Sequence, residues 1–487
     1  MNDPLRINLS LVSHTNIGKT TLARTLLLRD VGEVADRAHV TETADDFVLA
    51  RSPAGGELIL WDTPGFGNSV ALAKRLEGRS NPIGWFLSSV WDRLANRSFW
   101  LDQIAMRHIR DTSSVVLYLV NASETFDRSP YLEAEMRILS WIGKPAIVLL
   151  NQMGPPREPA LEAAEVDAWK RSLQSYSFVK DVLPMDAFAR CWVQEAALFD
   201  AIGRSLPDEQ QEVFSVLRSN WMRARRAIYA SSVEALARYM ARLLLASEPL
   251  PIQSLKARAL SVAKRFGLFQ NEKDIKDALA DAQSALASQA ADGFCSLTDK
   301  LIEVNGLTGR GVSKEILRRL RANWKISAFG LDPGSAAAVG TGIGAASGAA
   351  AGLAADAAAG GLTFGLGTLI GGILGAVGGI GAAAAYNLKS GRQGSELSWS
   401  DEALQSALLE TVLLYLAVAH FGRGRGEWSE SESPSFWKNT AREAIASHSL
   451  NFSKLRGLAP EALQSALCSG IDAIVRAIFQ TLYGRTG

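Results

Sequence analysis

The sequence predicts an α/β domain, a mostly parallel sheet with helices on both faces, followed by an all-α region. Three observations predict it. Apolar runs of strand length recur through the N-terminal part of the chain, at Ile7 to Val12, Leu58 to Trp61, Val115 to Val120, Ala146 to Leu150 and Phe178 to Leu183. The first run passes through a Gly-Lys-Thr loop straight into Thr21-Leu22-Ala23, the junction of a strand with a helix. From Pro207 onward, apolar residues recur at helical spacing instead.

The first strand feeds Ser13-His14-Thr15-Asn16-Ile17-Gly18-Lys19-Thr20. A tight loop that opens a helix points backbone N–H groups at phosphate oxygens, while the Lys19 ammonium reaches the β/γ-phosphates and the Thr20 hydroxyl holds Mg²⁺. Ser13, Asn16, Ile17, Gly18 and Thr21 complete the expected phosphate cradle. The usual pattern, G-x-x-x-x-G-K-[ST], has glycine where this chain has Ser13, so the loop must accommodate a Cβ at its first turn.

A hairpin, Phe47 to Arg51 with Leu58 to Trp61, leads into Trp61-Asp62-Thr63-Pro64-Gly65. Asp62 suits a Mg²⁺-bound water, and the Gly65 N–H suits the γ-phosphate. Together the two motifs resemble the translation-factor-like class of P-loop GTPases, Era-like and tRNA-modification GTPases in particular. The resemblance implies a G domain that takes GTP to GDP and phosphate with Mg²⁺. It makes Thr43 the switch I threonine, with Thr41 as the alternative, so that Thr20, Thr43 and Asp62 form the metal set.

The family's base-recognition motif, Asn-Lys-x-Asp, corresponds to Asn151-Gln152-Met153-Gly154. Asn151 is kept, Gln152 lacks the lysine charge, and Gly154 has no carboxylate for the guanine ring. A lost buried charged hydrogen bond costs about 1.5–3 kcal/mol, which weakens guanine preference by about one or two orders of magnitude. Ala187 matches the position whose N–H meets the guanine carbonyl. Asp186 beside it is either a substitute for the missing carboxylate or a turn residue. The stretch Asp186 to Glu195, with the Asn-Gln-Met-Gly variant, resembles a bacterial family of GTPase-like proteins whose C-terminal domain has no assigned function.

Phe66 stands where Ras-like enzymes carry the water-orienting glutamine, as hydrophobic residues do in Era-like GTPases. Asn16 occupies the loop position that helps bind K⁺ in cation-dependent relatives; its other reading is an asparagine that stabilises its own turn. The resemblance thus implies a slow intrinsic hydrolase in which Asn16, Lys19 and Thr43 serve catalysis, accelerated by K⁺ and by homodimeric pairing of G domains.

A chain of 487 residues has room for two or more domains, and its formal net charge of +1 argues against a globally driven nucleic-acid binder. The cluster Arg223-Ala-Arg-Arg226 reads as a solvated helix face or a contact with lipid headgroups. Cys191, Cys295 and Cys468 show no metal-ligand spacing and fit a reduced, intracellular protein. No signal peptide is expected, since Met1-Asn-Asp-Pro leads almost at once into the first strand.

Between Ser335 and Tyr386, Asp356 is the only charged residue. Glycines recur every fourth position at Gly340, Gly344, Gly348 and Gly352, and again at Gly367, Gly371, Gly375 and Gly379. Such small-residue faces allow close helix pairing in lipid, and Leu362 to Ala385 is long enough to span a ~30 Å core. The expectation is a glycine-zipper membrane hairpin, the alternatives being internal helical packing or a linker. Basic residues flank it, Lys314, Arg318, Arg319, Arg321 and Lys325 before and Lys389 and Arg392 after, which places both flanks on the cytoplasmic side of the inner membrane.

Pro207 to Trp324 reads as helical with a break at Glu248-Pro-Leu-Pro251, and Ser400 to Val418 and Pro460 to Leu482 read as amphipathic helices. Gly84 to Trp100 reads as a helix that docks on the first domain or offers a switch-linked surface. The expected domains are 1–204 (G domain), 205–333 (helical), 334–388 (hairpin) and 389–487 (C-terminal helical). The leading expectation is a membrane-associated GTPase switch; the rivals are a catalytically weak nucleotide-binding scaffold and a membrane-active effector.

Overall fold

A computed structural model describes residues 6–28, 45–88, 97–154, 156–187, 191–250, 270–307, 386–391, 394–421 and 434–486. Its contacts divide the chain into two units: residues 1–228, 419–426 and 479–487 form the first, and residues 229–418 and 427–478 the second.

The first unit is built on six strands, β1 (Arg6–Ser13), β2 (Asp45–Arg51), β3 (Glu57–Asp62), β4 (Val115–Asn121), β5 (Ala146–Asn151) and β6 (Val179–Pro184). They lie in the order β2-β3-β1-β4-β5-β6, with only β2 antiparallel. The expected hairpin pairs Phe47 with Leu60. The four parallel pairings require crossovers, and helices supply them on both faces. Helices α2 (Ser69–Leu76), α3 (Pro82–Ser88), α4 (Arg97–Thr112), α5 (Pro130–Ile142) and α6 (Pro159–Leu173) contribute to one core with Val12, Tyr118 and Leu150. Helices α1 (Lys19–Leu27), α7 (Trp192–Ser205) and the first half of α8 (Asp208–Leu245) contribute to the other, with Leu9, Leu11 and Phe199. Leu11 and Val12 therefore face opposite layers, as the twofold period of a strand requires.

The described part of Gly84 to Trp100 falls on α3 and the start of α4. Phe86 is buried in the first core, and the Arg79 guanidinium lies 3.6 Å over the half-buried Trp85 ring. The expectation of a docked apolar face holds for these residues; Val90, Trp91 and Leu94 lie outside the described residues.

The second unit is mainly helical. It holds the rest of α8, α9 (Gln270–Val304), α10 (Asp401–Ala419, to Val418), α11 (Ser435–Ser447), α12 (Phe452–Leu455) and most of α13 (Pro460–Tyr483). Its buried residues include Met240, Phe294, Leu408, Tyr415 and Ile474. The region is not purely helical: β7 (Ser247–Leu250), β8 (Tyr386–Gly391) and β9 (Gly394–Trp399) form a small antiparallel sheet in the order β7-β9-β8. The break at Glu248-Pro-Leu-Pro251 is thus partly a strand, with Pro249 opposite Glu396. The helix ends at Leu245, and the extended segment that follows, which contains Pro249, finds a partner strand far along the chain.

The arms of the expected glycine-zipper hairpin lie outside the described residues; the last residues of its 334–388 span, Tyr386 to Leu388, begin β8. Among the described residues, the helices α10 and α13 are long and apolar enough to cross a membrane. In α10, 67% of the most apolar window is buried within the protein, which is also how a core helix reads.

Candidate functional site

The site begins where β1 ends. Ser13 is the last residue of β1, and Gly18, the N-cap of α1, sits at φ 96°. An L side chain there would be strained, and a Cβ would come within 2.9 Å of Asn151 Nδ2. Asn16 is also left-handed, at φ 65°, and is exposed. Asparagine is among the few non-glycine residues that adopt this region readily.

Lys19 opens α1 and is buried, with Nζ donating to Ser13 Oγ across 3.1 Å. The serine that replaces the first glycine therefore accommodates its Cβ and engages Lys19. Burial pushes the Lys19 ammonium below its usual range, against the opposing fields of Asp62 and Glu135. Next to it, Thr20 Oγ1 donates to Asp62 Oδ2 at 2.5 Å. Thr21 lies on the buried side of α1, where its carbonyl accepts from Thr25 Oγ1 at 2.8 Å.

Asp62 ends β3 and is almost fully buried. Burial pushes its carboxyl up, while Lys19 and the Thr20 hydroxyl pull it down. Its Oδ1 has no hydrogen-bond partner among the described residues. A buried anionic oxygen without a donor is costly, and a divalent cation held jointly with the Thr20 hydroxyl would satisfy it. The residues present thus fit Mg²⁺. The other expected ligand, Thr43, and its alternative Thr41 lie outside the described residues.

Gly65 is buried against this cluster: a Cβ on it would meet Lys19 Nζ at 2.9 Å and Thr15 Cα at 3.1 Å. Phe66 follows, fully buried in the first core, with its N–H donated to Ser13 O at 3.0 Å and its carbonyl accepting from Thr15 N at 3.3 Å. The loop after Asp62 is in this way stitched to the phosphate loop by backbone.

On the base side, Asn151 Nδ2 donates to Ile17 O at 2.6 Å, and Asn151 Oδ1 accepts from Ala187 N at 2.8 Å. Asn151 therefore ties the phosphate loop to the last base-side loop. The Ala187 N–H, expected to meet a base carbonyl, is spent on Asn151. Asp186 is buried, and its Oδ2 accepts from Met153 N at 2.8 Å, so the carboxylate organises the 151–154 loop. In that loop Gln152 and Gly154 both adopt positive φ, 57° and 82°, and Gly154 is exposed.

Three groups near the phosphate loop carried no motif signal. His14 Nδ1 lies 2.8 Å from Glu135 Oε1, and Glu135 Oε2 accepts from Tyr118 OH at 2.7 Å. The His14 ring stacks on Tyr131 with centroids 4.4 Å apart. Asp102 of α4 accepts from Gly67 N at 2.9 Å. Arg225 is buried, donates to Leu26 O at the end of α1 at 2.9 Å and pairs with Glu195 at 2.8 Å. That last finding corrects the reading of the Arg223-Ala-Arg-Arg226 cluster as a solvated or lipid-facing surface at one position: Arg225 braces the helix α1, while Arg223 and Arg226 are exposed as expected.

The family model described as a domain of unknown function (DUF3482) matches residues 179–457, more than half of the chain. The chain belongs to that family. The model described as a 50S ribosome-binding GTPase matches residues 8–152, which span the phosphate loop, Asp62 and Asn151. The first domain is therefore a P-loop GTPase domain. No curated protein matches the chain. Among solved structures it is similar to Era of Aquifex aeolicus bound to GDP and AlF₄⁻, at 18% identity over 42% of this chain and 57% of that one, TM-score 0.31. Era in complex with MgGDPNP and a 16S ribosomal RNA segment matches at 19% identity over 42% and 57%, TM-score 0.30. A dimerisation-deficient Toc33 of Arabidopsis thaliana matches at 13% identity over 44% and 83%, TM-score 0.24. The chain spans 57% of the length of the Era chains it matches.

Proposed function

We propose that this protein hydrolyses GTP to GDP and phosphate as a slow conformational switch at the cytoplasmic face of a membrane. The observation that carries the nucleotide half is the convergence of Lys19, Thr20 and Asp62 with one Asp62 oxygen left without a donor. Lys19 would exchange its bond to Ser13 for the β/γ-phosphates, Gly18 and the first α1 amides would hold phosphate oxygens, and the Gly65 N–H would meet the γ-phosphate. Mg²⁺, held by Thr20, Asp62 and Thr43, would neutralise charge that develops on the transferred group. Phe66 is apolar and buried, so it orients no water. The exposed left-handed Asn16 is the loop residue available to a K⁺ ion, which would supply positive charge in an arginine's place. Pairing of two G domains would complete such a site.

Membrane attachment rests on the sequence between Ser335 and Tyr386 and its basic flanks. Flotation of the full chain with anionic liposomes tests it: co-migration supports attachment, and recovery in the soluble fraction removes it. Turnover of GTP with Mg²⁺ in K⁺ and in Na⁺, with a Lys19→Ala control, tests the catalytic half.

One observation favours the second reading, a nucleotide-binding scaffold with weak turnover and weak base preference. The Ala187 N–H, expected to meet the guanine carbonyl, is engaged by Asn151, and Asp186 Oδ2, the alternative to the missing carboxylate, by Met153. Binding of GTP with turnover no faster than that of Lys19→Ala would select it.

A further inference from the structure

We propose that Asp102 is the positioning residue that fixes the γ-phosphate sensor of the switch, acting from α4 on the backbone just beyond Gly65. The proposal deepens the GTPase reading and rests on it.

Four consecutive residues carry the argument. Gly65 is buried against Lys19 and Thr15. Phe66 is paired by its backbone to Ser13 and Thr15. Gly67 donates its N–H to Asp102 Oδ1 at 2.9 Å, and the Asn68 amide lies beside the same carboxylate. The phosphate loop thus grips the sensor segment on its upstream side, and Asp102 grips it on its downstream side.

Asp102 also holds the entry into α2. Asn68 is the N-cap of α2 and makes no side-chain cap bond. A carboxylate near a helix N-terminus is favoured by the helix dipole. Asp102 stands there against the amides of Gly67 and Asn68, reaching from another helix, where it is fully buried beside Leu101, Ala105 and Met106. Its Oδ2 has no hydrogen-bond partner among the described residues. A carboxylate held in an apolar layer for one pair of amides is an expensive way to fix a loop. Burial pushes this carboxyl up to about 7, with Glu135 of α5 adding to the rise and His14 of the phosphate loop opposing it.

Fixing this segment matters for the triphosphate and hardly for the diphosphate, since only the former has a γ-phosphate for Gly65 to meet. Upstream contacts through Lys19 and Gly18 serve both nucleotides. Loss of Asp102 should therefore separate the two affinities, which a general structural role would lower together.

The test measures GDP and GTPγS binding to the full chain, with Mg²⁺, for wild type, Asp102→Ala and Asp102→Asn, together with steady-state GTP hydrolysis. Deletion of a charged acceptor predicts about tenfold weaker GTPγS binding in Asp102→Ala with GDP binding within about twofold, and a fall in kcat. Asp102→Asn keeps shape and an acceptor oxygen but loses the charge, so its GTPγS loss is about threefold. Unchanged GTPγS-to-GDP ratios in the folded variants overturn the proposal, and so do equal losses for both nucleotides. If Asp102→Ala does not fold, Asp102→Asn alone decides. Wild-type binding without turnover would refute the GTPase reading and leave the affinity ratio to judge Asp102.

Discussion

Lys19 donates its ammonium to the hydroxyl of Ser13, 3.1 Å away, so the residue that breaks the usual glycine pattern is also the one that holds the phosphate lysine. A nucleotide must displace that bond. Ser13→Ala keeps the Cβ and removes the hydroxyl, which predicts GTP binding tighter by about three- to tenfold. Isothermal titration calorimetry of the two proteins in the same buffer checks it.

Proton linkage follows from the same lysine. Burial holds the Lys19 ammonium below its ordinary range, and an arriving phosphate favours the charged form. Binding should therefore take up protons near and above the depressed value of the free protein, and affinity should fall as pH rises through it. Calorimetry in two buffers of different ionisation enthalpy reads the proton count directly; a count that does not rise with pH contradicts a lowered Lys19 ammonium.

Gly65→Ala places a Cβ 2.9 Å from Lys19 Nζ and 3.1 Å from Thr15 Cα. The lysine end can move, but the backbone cannot without shifting the phosphate loop. GTP hydrolysis should fall by about tenfold or more, while the fold, followed by circular dichroism, is kept.

The buried pair Arg225–Glu195 makes a prediction about stability. Both side chains are nearly inaccessible, at 8% and 2% exposure. Arg225→Ala leaves a buried carboxylate without its partner and should cost about 3–5 kcal/mol, whereas replacing both residues by apolar ones of similar volume should cost far less. Urea unfolding of the single and double variants distinguishes the two outcomes.

Much of the α/β domain was legible because its strands are nearly continuous apolar runs, as buried parallel strands are, and because Gly18-Lys19-Thr20 opens the helix after β1 and Asp62 ends β3. The Asn151 bridge could be located from its motif, although its two hydrogen bonds could not. The small sheet was not legible: Ser247–Leu250, Tyr386–Gly391 and Gly394–Trp399 are short and polar, so no local period marks them, and the first lies far along the chain from the other two. Asp102 and Glu135 were missed, and Arg225 was read as part of a surface cluster, for a related reason. Each is a charged residue whose partner lies on another element, and only its position on an apolar helix face, as with Asp102 beside Leu101 and Ala105, hints at burial.

Asp102 also gives stability a pH dependence of definite sign. Its carboxyl is raised from 3.8 to about 7 by burial, so its contribution to stability is complete below the ordinary carboxyl range and is lost as pH rises through about 7. Relative to Asp102→Asn, which carries no charge to bury, the wild type should lose on the order of a few kcal/mol between about pH 4 and about pH 8. Parallel urea titrations across that range give the difference curve; a flat one would mean that Asp102 ionises without a burial cost.

The central claim is that the loop from Ser13 to Thr20 binds GTP through Lys19. Calorimetric titration of the full chain with GTP and with ATP, in Mg²⁺, beside Lys19→Ala, tests it most directly. The account predicts GTP binding that disappears in Lys19→Ala, with ATP weaker by a margin smaller than a complete Asn-Lys-x-Asp motif would give. Absence of GTP binding, or GTP binding that survives Lys19→Ala unchanged, would contradict it.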